Sequence, residues 1–343
     1  MSGDGDADPR DGMHHPRRRA ILKGHEKAER VLLKQYLSGR MHHGWLISGP
    51  RGIGKATLAY RLARFMLHHP TNQALGENQS LGVAAGTPVS RLVASGGHPD
   101  LIVVERRFDP KTGNIKTEIA VDDVRRAGEF FGRTSAAGGW RICIVDAADE
   151  LNAESANALL KTLEEPPGRS LIILVSHQSR RLLPTLRSRC VELPVPPISE
   201  QDTIEVLNGL GLDGDAARKA AALSCGSPGR ALEIVNSAGA RAFDQFAARM
   251  ERAQFVDIDT KLAVADVFQS RGTAAEFVLF CELLIDWTAR RAREAAVAGR
   301  GAGWANAHDA VSHSIRQADA LNLDRRQTVL DALTTLEEAA RAA

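Results

Sequence analysis

Cysteine is scarce and scattered: Cys143, Cys190, Cys225 and Cys281 are the only four, and no two form a C-x-x-C pair. That spacing excludes a dense disulfide framework and predicts reduced thiols in a cytoplasmic protein. Excess charge of either sign is also missing. Lys+Arg number 44 against 42 Asp+Glu, a net charge of +2, which gives no bulk attraction to nucleic acid or to an acidic membrane. No apolar run approaches the roughly 18 residues of a membrane span. Residues 1–19, MSGDGDADPRDGMHHPRRR, contain no apolar stretch and read as a disordered polar tail rather than a signal peptide.

What is present is a chain of 343 residues, 43% hydrophobic and 25% charged, which predicts a soluble globular protein of two or three domains. The first part alternates short β-rich runs with helical patterns. Strands are expected at 44–48 (GWLIS), 100–104 (DLIVV), 141–145 (RICIV), 171–176 (LIILVS) and 191–193. Helices are expected at 26–37, 56–67, 121–131 and 153–165. Such alternation implies a parallel five-stranded sheet covered on both faces, an α/β fold. Residues 68–99, rich in Gly, Ser and Ala, read as a surface insertion. Beyond Pro194-Val-Pro-Pro197 no strand pattern remains, and alanine- and leucine-rich helical segments run to the end. The first domain boundary is therefore expected near residue 196.

The most informative stretch is GPRGIGKATLA, residues 49–59. It follows a strand and opens a helix, the setting in which glycines turn backbone N–H groups onto phosphate oxygens. Gly49, Gly52, Gly54 and Lys55 stand as a nucleotide-binding loop requires, but Ala56 occupies the position of the hydroxyl that holds Mg²⁺. Thr57 lies one helical step, ~100°, away, where it can still reach an inner phosphate. The strand ICIVD ends in Asp146, the place of a metal-linked carboxylate. The following residue is Ala147, so the glutamate that activates water in D-E enzymes is absent. Asp149 and Glu150 read as the solvated start of a loop or helix, pointing elsewhere. The segment SANALLKTLEEPP, 155–167, is on physical grounds a packed helix stopped by two prolines. In LLPTLRSRC, 182–190, Arg187 and Arg189 read either as solvated surface or as a finger reaching a neighbour's phosphate site.

ALLKTLEEPP followed by TLRSRC resembles the bacterial sliding-clamp loader subunits of the AAA+ class. The order of glycine loop, VDAAD, LLKTLEEPP and SRC matches through residues 20–195. The resemblance implies an AAA+ P-loop domain at 20–196, a small helical lid at 197–240 containing GSPGRAL, and a helical collar at 241–343. It implies that Arg189 is an arginine finger acting in trans and that Ser176 stands where active relatives sense the terminal phosphate. Gly229 takes the place of the motor subunits' lid arginine, with Arg230 one position on. Motor (gamma/tau) subunits carry an intact loop, a D-E pair and a four-cysteine zinc module between the loop helix and the second strand. Here that region has His68, His69 and His98 but no cysteine, so zinc is not expected. The implied function is a non-hydrolysing member that binds ATP weakly if at all, without well-placed Mg²⁺. Its implied partners are gamma/tau and delta subunits, with the sliding clamp and primed DNA met through the complex at the replisome and direct DNA contact minor. The alternative is a divergent active motor, with Thr57 or water completing the metal site and Asp149 or Glu150 as base.

Overall fold

In the computed structural model, which describes residues 15–71, 80–135, 138–212, 214–253, 256–270, 273–299 and 302–342, the apolar runs become strands of one sheet. The elements of the first part are α1 (Glu26–Leu37), β1 (Gly44–Ser48), α2 (Lys55–His68), α3 (Pro88–Ser95), β2 (Leu101–Glu105), β3 (Phe108–Asp109), β4 (Asn114–Ile115), α4 (Val121–Phe131), β5 (Arg141–Asp146), α5 (Ala153–Glu164), β6 (Ser170–Ser176), α6 (Pro184–Arg187) and β7 (Val191–Pro194). Helices α7 (Glu200–Asn208), α8 (Gly214–Leu223) and α9 (Pro228–Asn236) follow. The main sheet has the order β2-β5-β6-β1-β7, and every pairing in it is parallel. β1 and β6 are buried along their whole length, as continuous apolar runs in a doubly covered sheet should be.

The side-chain alternation of β1 divides the core in two. Trp45 and Ile47 join α1, α2, Ile173 and Val175 on one face. Leu46 joins Cys143, Val145, Ile172, Leu174 and the apolar sides of α4 and α5 on the other. Each fully buried Leu or Ile contributes about 1.5–3 kcal/mol, so the two layers fix strand register. A one-residue slip would exchange the faces.

Two expectations need correction. Residues 15–19 are not a disordered tail. The Arg64 guanidinium, on buried α2, donates to the carbonyls of Arg17 (2.8 Å) and Arg19 (3.2 Å), and Arg61 donates to that of Ala20. The chain before α1 is thus held by buried arginines that need acceptors. Residues 1–14 lie outside the described residues. The insertion at 68–99 is more than a surface excursion: Leu81 is 1% and Val93 0% exposed, both within the core. Thr87 caps α3 through Ser90 N, and Pro88 opens the helix. Residues 72–79 lie outside the described residues. The antiparallel pair β3–β4 has no counterpart in the sequence reading.

By contacts the chain divides into two compact units, Met1–Arg230 and Ala231–Ala343, so α7 and α8 belong with the sheet and the division falls within α9. The second unit contains α10 (Ala238–Ala253), α11 (Ile258–Asp266), α12 (Ala274–Val297), α13 (Ala302–Leu321) and α14 (Arg325–Ala342). Phe243, Phe246, Phe268, Phe280, Leu284, Trp287 and Leu336 are buried in it. Buried Lys261 pairs with Glu337, joining α11 to α14.

Candidate phosphate-binding site

The glycine loop leaves β1 between β6 and β7. Gly49 N donates to Ser176 O at 3.2 Å, and Ser48 Oγ donates to Glu192 Oε1 on β7 at 2.8 Å. Gly49 has φ +149°, and a Cβ there would run into the Val195 carbonyl oxygen. The glycine is thus required by the fold, independently of any ligand.

Four of the loop's carbonyls have hydrogen-bond donors. Lys55 Nζ donates to Pro50 O (2.5 Å), Ser227 Oγ to Arg51 O (2.9 Å), Gly229 N to Gly52 O (2.9 Å) and His25 Nε2 to Ile53 O (2.6 Å). By contrast, no described residue accepts from the backbone N–H of Gly52 or Gly54. Gly54 immediately precedes α2, so free amides and the positive helix end converge, as an anion requires. Gly229 meets the loop closely: a Cβ on it would stand 2.8 Å from Gly52 Cα. A side chain at 229 has no room here.

Lys55 is 3% exposed. Burial lowers its pKa to about 8, against the opposing pull of Asp146 and Asp149. Asp146 ends β5 and is half-buried; Thr57, also half-buried, lies in the first turn of α2. Ser176 is fully buried and donates from Oγ to Asp149 Oδ1 at 2.6 Å. The same carboxylate accepts from the backbone N–H groups of His177 and, at 3.2 Å, Gln178. Burial first, then Lys55, holds His177 down at about 4, so its ring is neutral at pH 7.

The expectation that Asp149 and Glu150 point elsewhere into solvent is therefore corrected. Asp149 faces the Lys55 centre and is committed to the end of β6, while Glu150 pairs with Arg106 at 2.7 Å. The sequence placed these two by distance along the chain, whereas the neighbouring of β5 and β6 brings Asp149 onto Ser176. His25 and Ser227 were also missed as loop partners. Ser227 lies in the GSPGRAL motif, which could have flagged it; nothing local marks His25.

The free amides and buried Lys55 suit a phosphate group, whereas the position of the hydroxyl that holds Mg²⁺ is taken by Ala56. Ala56 offers no oxygen, and the carboxylate of Asp149 already carries three donors.

Arg189 lies elsewhere. A Cβ on Gly44, at the start of β1, would stand 3.0 Å from both the Arg189 carbonyl oxygen and Leu163 Cδ2. The Arg189 side chain is 35% exposed, and its Nη2 meets Glu164 Oε1 at 2.7 Å. Arg187 sits beside Glu192 at 4.0 Å. Cys190 is packed against this edge, and burial pushes its thiol up to about 12, which makes it a packing residue rather than a nucleophile.

The family described as "DNA polymerase III, delta subunit" matches residues 24–199, the sheet with its glycine loop. The DNA polymerase III subunit delta' of Pseudomonas aeruginosa is 34% identical over 73% of this chain and 71% of its own. That of Escherichia coli is 37% identical over 59% of this chain and 57% of its own. The DNA polymerase III subunit tau of E. coli is 31% identical over 52% of this chain, but over only 25% of its own. The Pseudomonas delta' match covers more than two thirds of both chains at over 30% identity and the family model spans half of this one, so the chain belongs to the family of DNA polymerase III delta' subunits.

Proposed function

We propose that this chain serves as a delta' subunit of a clamp loader. It joins gamma/tau and delta subunits to place a sliding clamp on primed DNA, and it supplies Arg189 to a neighbour's ATP site instead of hydrolysing ATP itself. The position of Arg189 carries this reading. It lies beside the first residue of β1, while the chain's own glycine loop leaves the last. A strand of that length spans about 16 Å, too far for one side chain. A phosphate met by Arg189 therefore belongs to another subunit. There a guanidinium can stabilise charge developing on a transferring phosphoryl group. The chain's own loop supports at most phosphate binding, since Ala56 and Ala147 replace the metal-binding hydroxyl and the base.

With ATP and Mg²⁺ the purified chain is expected to show no steady turnover. Adding it to gamma/tau and delta subunits is expected to restore hydrolysis stimulated by clamp and primed DNA. Turnover by the chain alone that Lys55→Ala abolishes would sink the reading in favour of an active motor.

The loop makes a separate prediction. Burial sets the Lys55 pKa at about 8, so its charge is present at pH 7 and lost as pH rises through that value. Pyrophosphate binding, followed by calorimetry from about pH 7 to about pH 9, is expected to weaken across this range, and the profile to flatten in Lys55→Met. An affinity that holds constant across the range would remove Lys55 from the anion site.

A further inference from the structure

We propose that Glu164 is the positioning residue for Arg189, holding its guanidinium at the angle from which the remaining N–H groups meet a phosphate on the adjacent subunit. The inference rests on the trans-acting role given to Arg189 above. Glu164 is the last residue of α5. A carboxylate there faces the negative end of the helix dipole, so helix stability does not explain it. The end of α5 is itself fixed. His43 Nε2 donates to Leu163 O at 3.0 Å, Leu163 packs against Gly44, and Pro166 and Pro167 prevent the helix from continuing. Glu164 is thus mounted on a rigid corner of the sheet edge that also carries Arg189.

The guanidinium is held at two points. Nη2 meets Glu164 Oε1 at 2.7 Å, and Nη1 donates to Thr185 O at 3.0 Å, with Ser188 Oγ at 3.5 Å. A planar guanidinium fixed at both terminal nitrogens has a defined orientation. Its Nε–H meets no acceptor among the described residues. Both side chains stay accessible, 35% exposed for Arg189 and 48% for Glu164. A flexible arginine reaching across an interface would sample several rotamers; this one is delivered in one. The partner is a phosphoryl oxygen of a nucleotide held by the adjoining subunit.

The test uses the reconstituted complex and single-turnover ATP hydrolysis at the site facing this chain. Glu164→Ala is expected to lower the rate constant about 10- to 100-fold, the penalty of a misplaced catalytic group, with the ATP concentration dependence unchanged. Glu164→Gln keeps an oxygen able to accept the same hydrogen bond and is expected to recover most of the rate. In an Arg189→Ala background, Glu164→Ala should change nothing further, because there is no guanidinium left to aim. Wild-type rates in Glu164→Ala, or additional slowing on top of Arg189→Ala, would overturn the inference. If Arg189→Ala slows the site while Glu164→Ala is silent, only the positioning role falls. If Arg189→Ala is itself silent, the trans-acting role falls and takes this inference with it.

Discussion

Arg189→Ala in the reconstituted loader is expected to leave assembly intact and to slow hydrolysis at the facing ATP site by about 10³- to 10⁵-fold, the measured worth of a trans-acting arginine. Assembly should survive because the side chain's contacts within its own chain are a half-exposed ion pair and a surface carbonyl. Pairs of that kind contribute about 0–1 kcal/mol. Steady-state turnover will fall less than the single-site rate, because sites between other subunits do not depend on this residue. The decisive measurement is therefore single-turnover hydrolysis, with mass measurement of the complex as the control for assembly. Arg189→Lys is expected to recover little. A lysine restores the charge but not the planar fork that can hold Glu164 and Thr185 while presenting another N–H. An unchanged rate in Arg189→Ala would mean that the neighbour's site is complete without this chain.

The largest stability effect is expected at Glu29. Its carboxylate meets Arg61 Nε at 2.5 Å, and each side chain is only 9% exposed. Glu29→Ala leaves the Arg61 cation in the core between α1 and α2 with one partner fewer, and breaking such a pair costs about 3–5 kcal/mol. Arg61 also donates to Ala20 O, so the loss extends to the segment that Arg61 and Arg64 hold against α2. The thermal midpoint of the sheet unit should drop by roughly 10 °C, at about 2–4 °C per kcal/mol for a unit of this size. Replacing both partners with apolar residues, Glu29→Leu with Arg61→Met, should recover most of the loss, since it removes the stranded charge. A midpoint within about 2 °C of wild type for Glu29→Ala would show that water reaches this pair.

Much of the sheet was legible because its strands are continuous apolar runs between helical periods. Gly44–Ser48, Val121–Phe131 and Glu26–Leu37 fall where the pattern puts them. The glycine loop was legible because its backbone demands are local. What stayed hidden depends on partners distant in sequence. Arg61 and Arg64 look like the polar side of an amphipathic helix until the chain at 17–20 is laid across them. Asp149 reads as a loop acid until the register of β5 on β6, with Asp146 opposite Val175, brings it to Ser176. Glu164 is one of two acids before a pair of prolines, and nothing local says which of them faces Arg189. Leu81 and Val93 sit in a Gly- and Ser-rich stretch whose composition masks two core positions.

The contact of Ser227 and Gly229 with the loop has a mechanical consequence. Two carbonyls on the loop's outer side are gripped by the start of α9, and Gly229 lies so close to Gly52 that neither backbone has play. The turn at 227–229 and the glycine loop are thereby tied back to back, so a substitution that displaced one would carry the other with it.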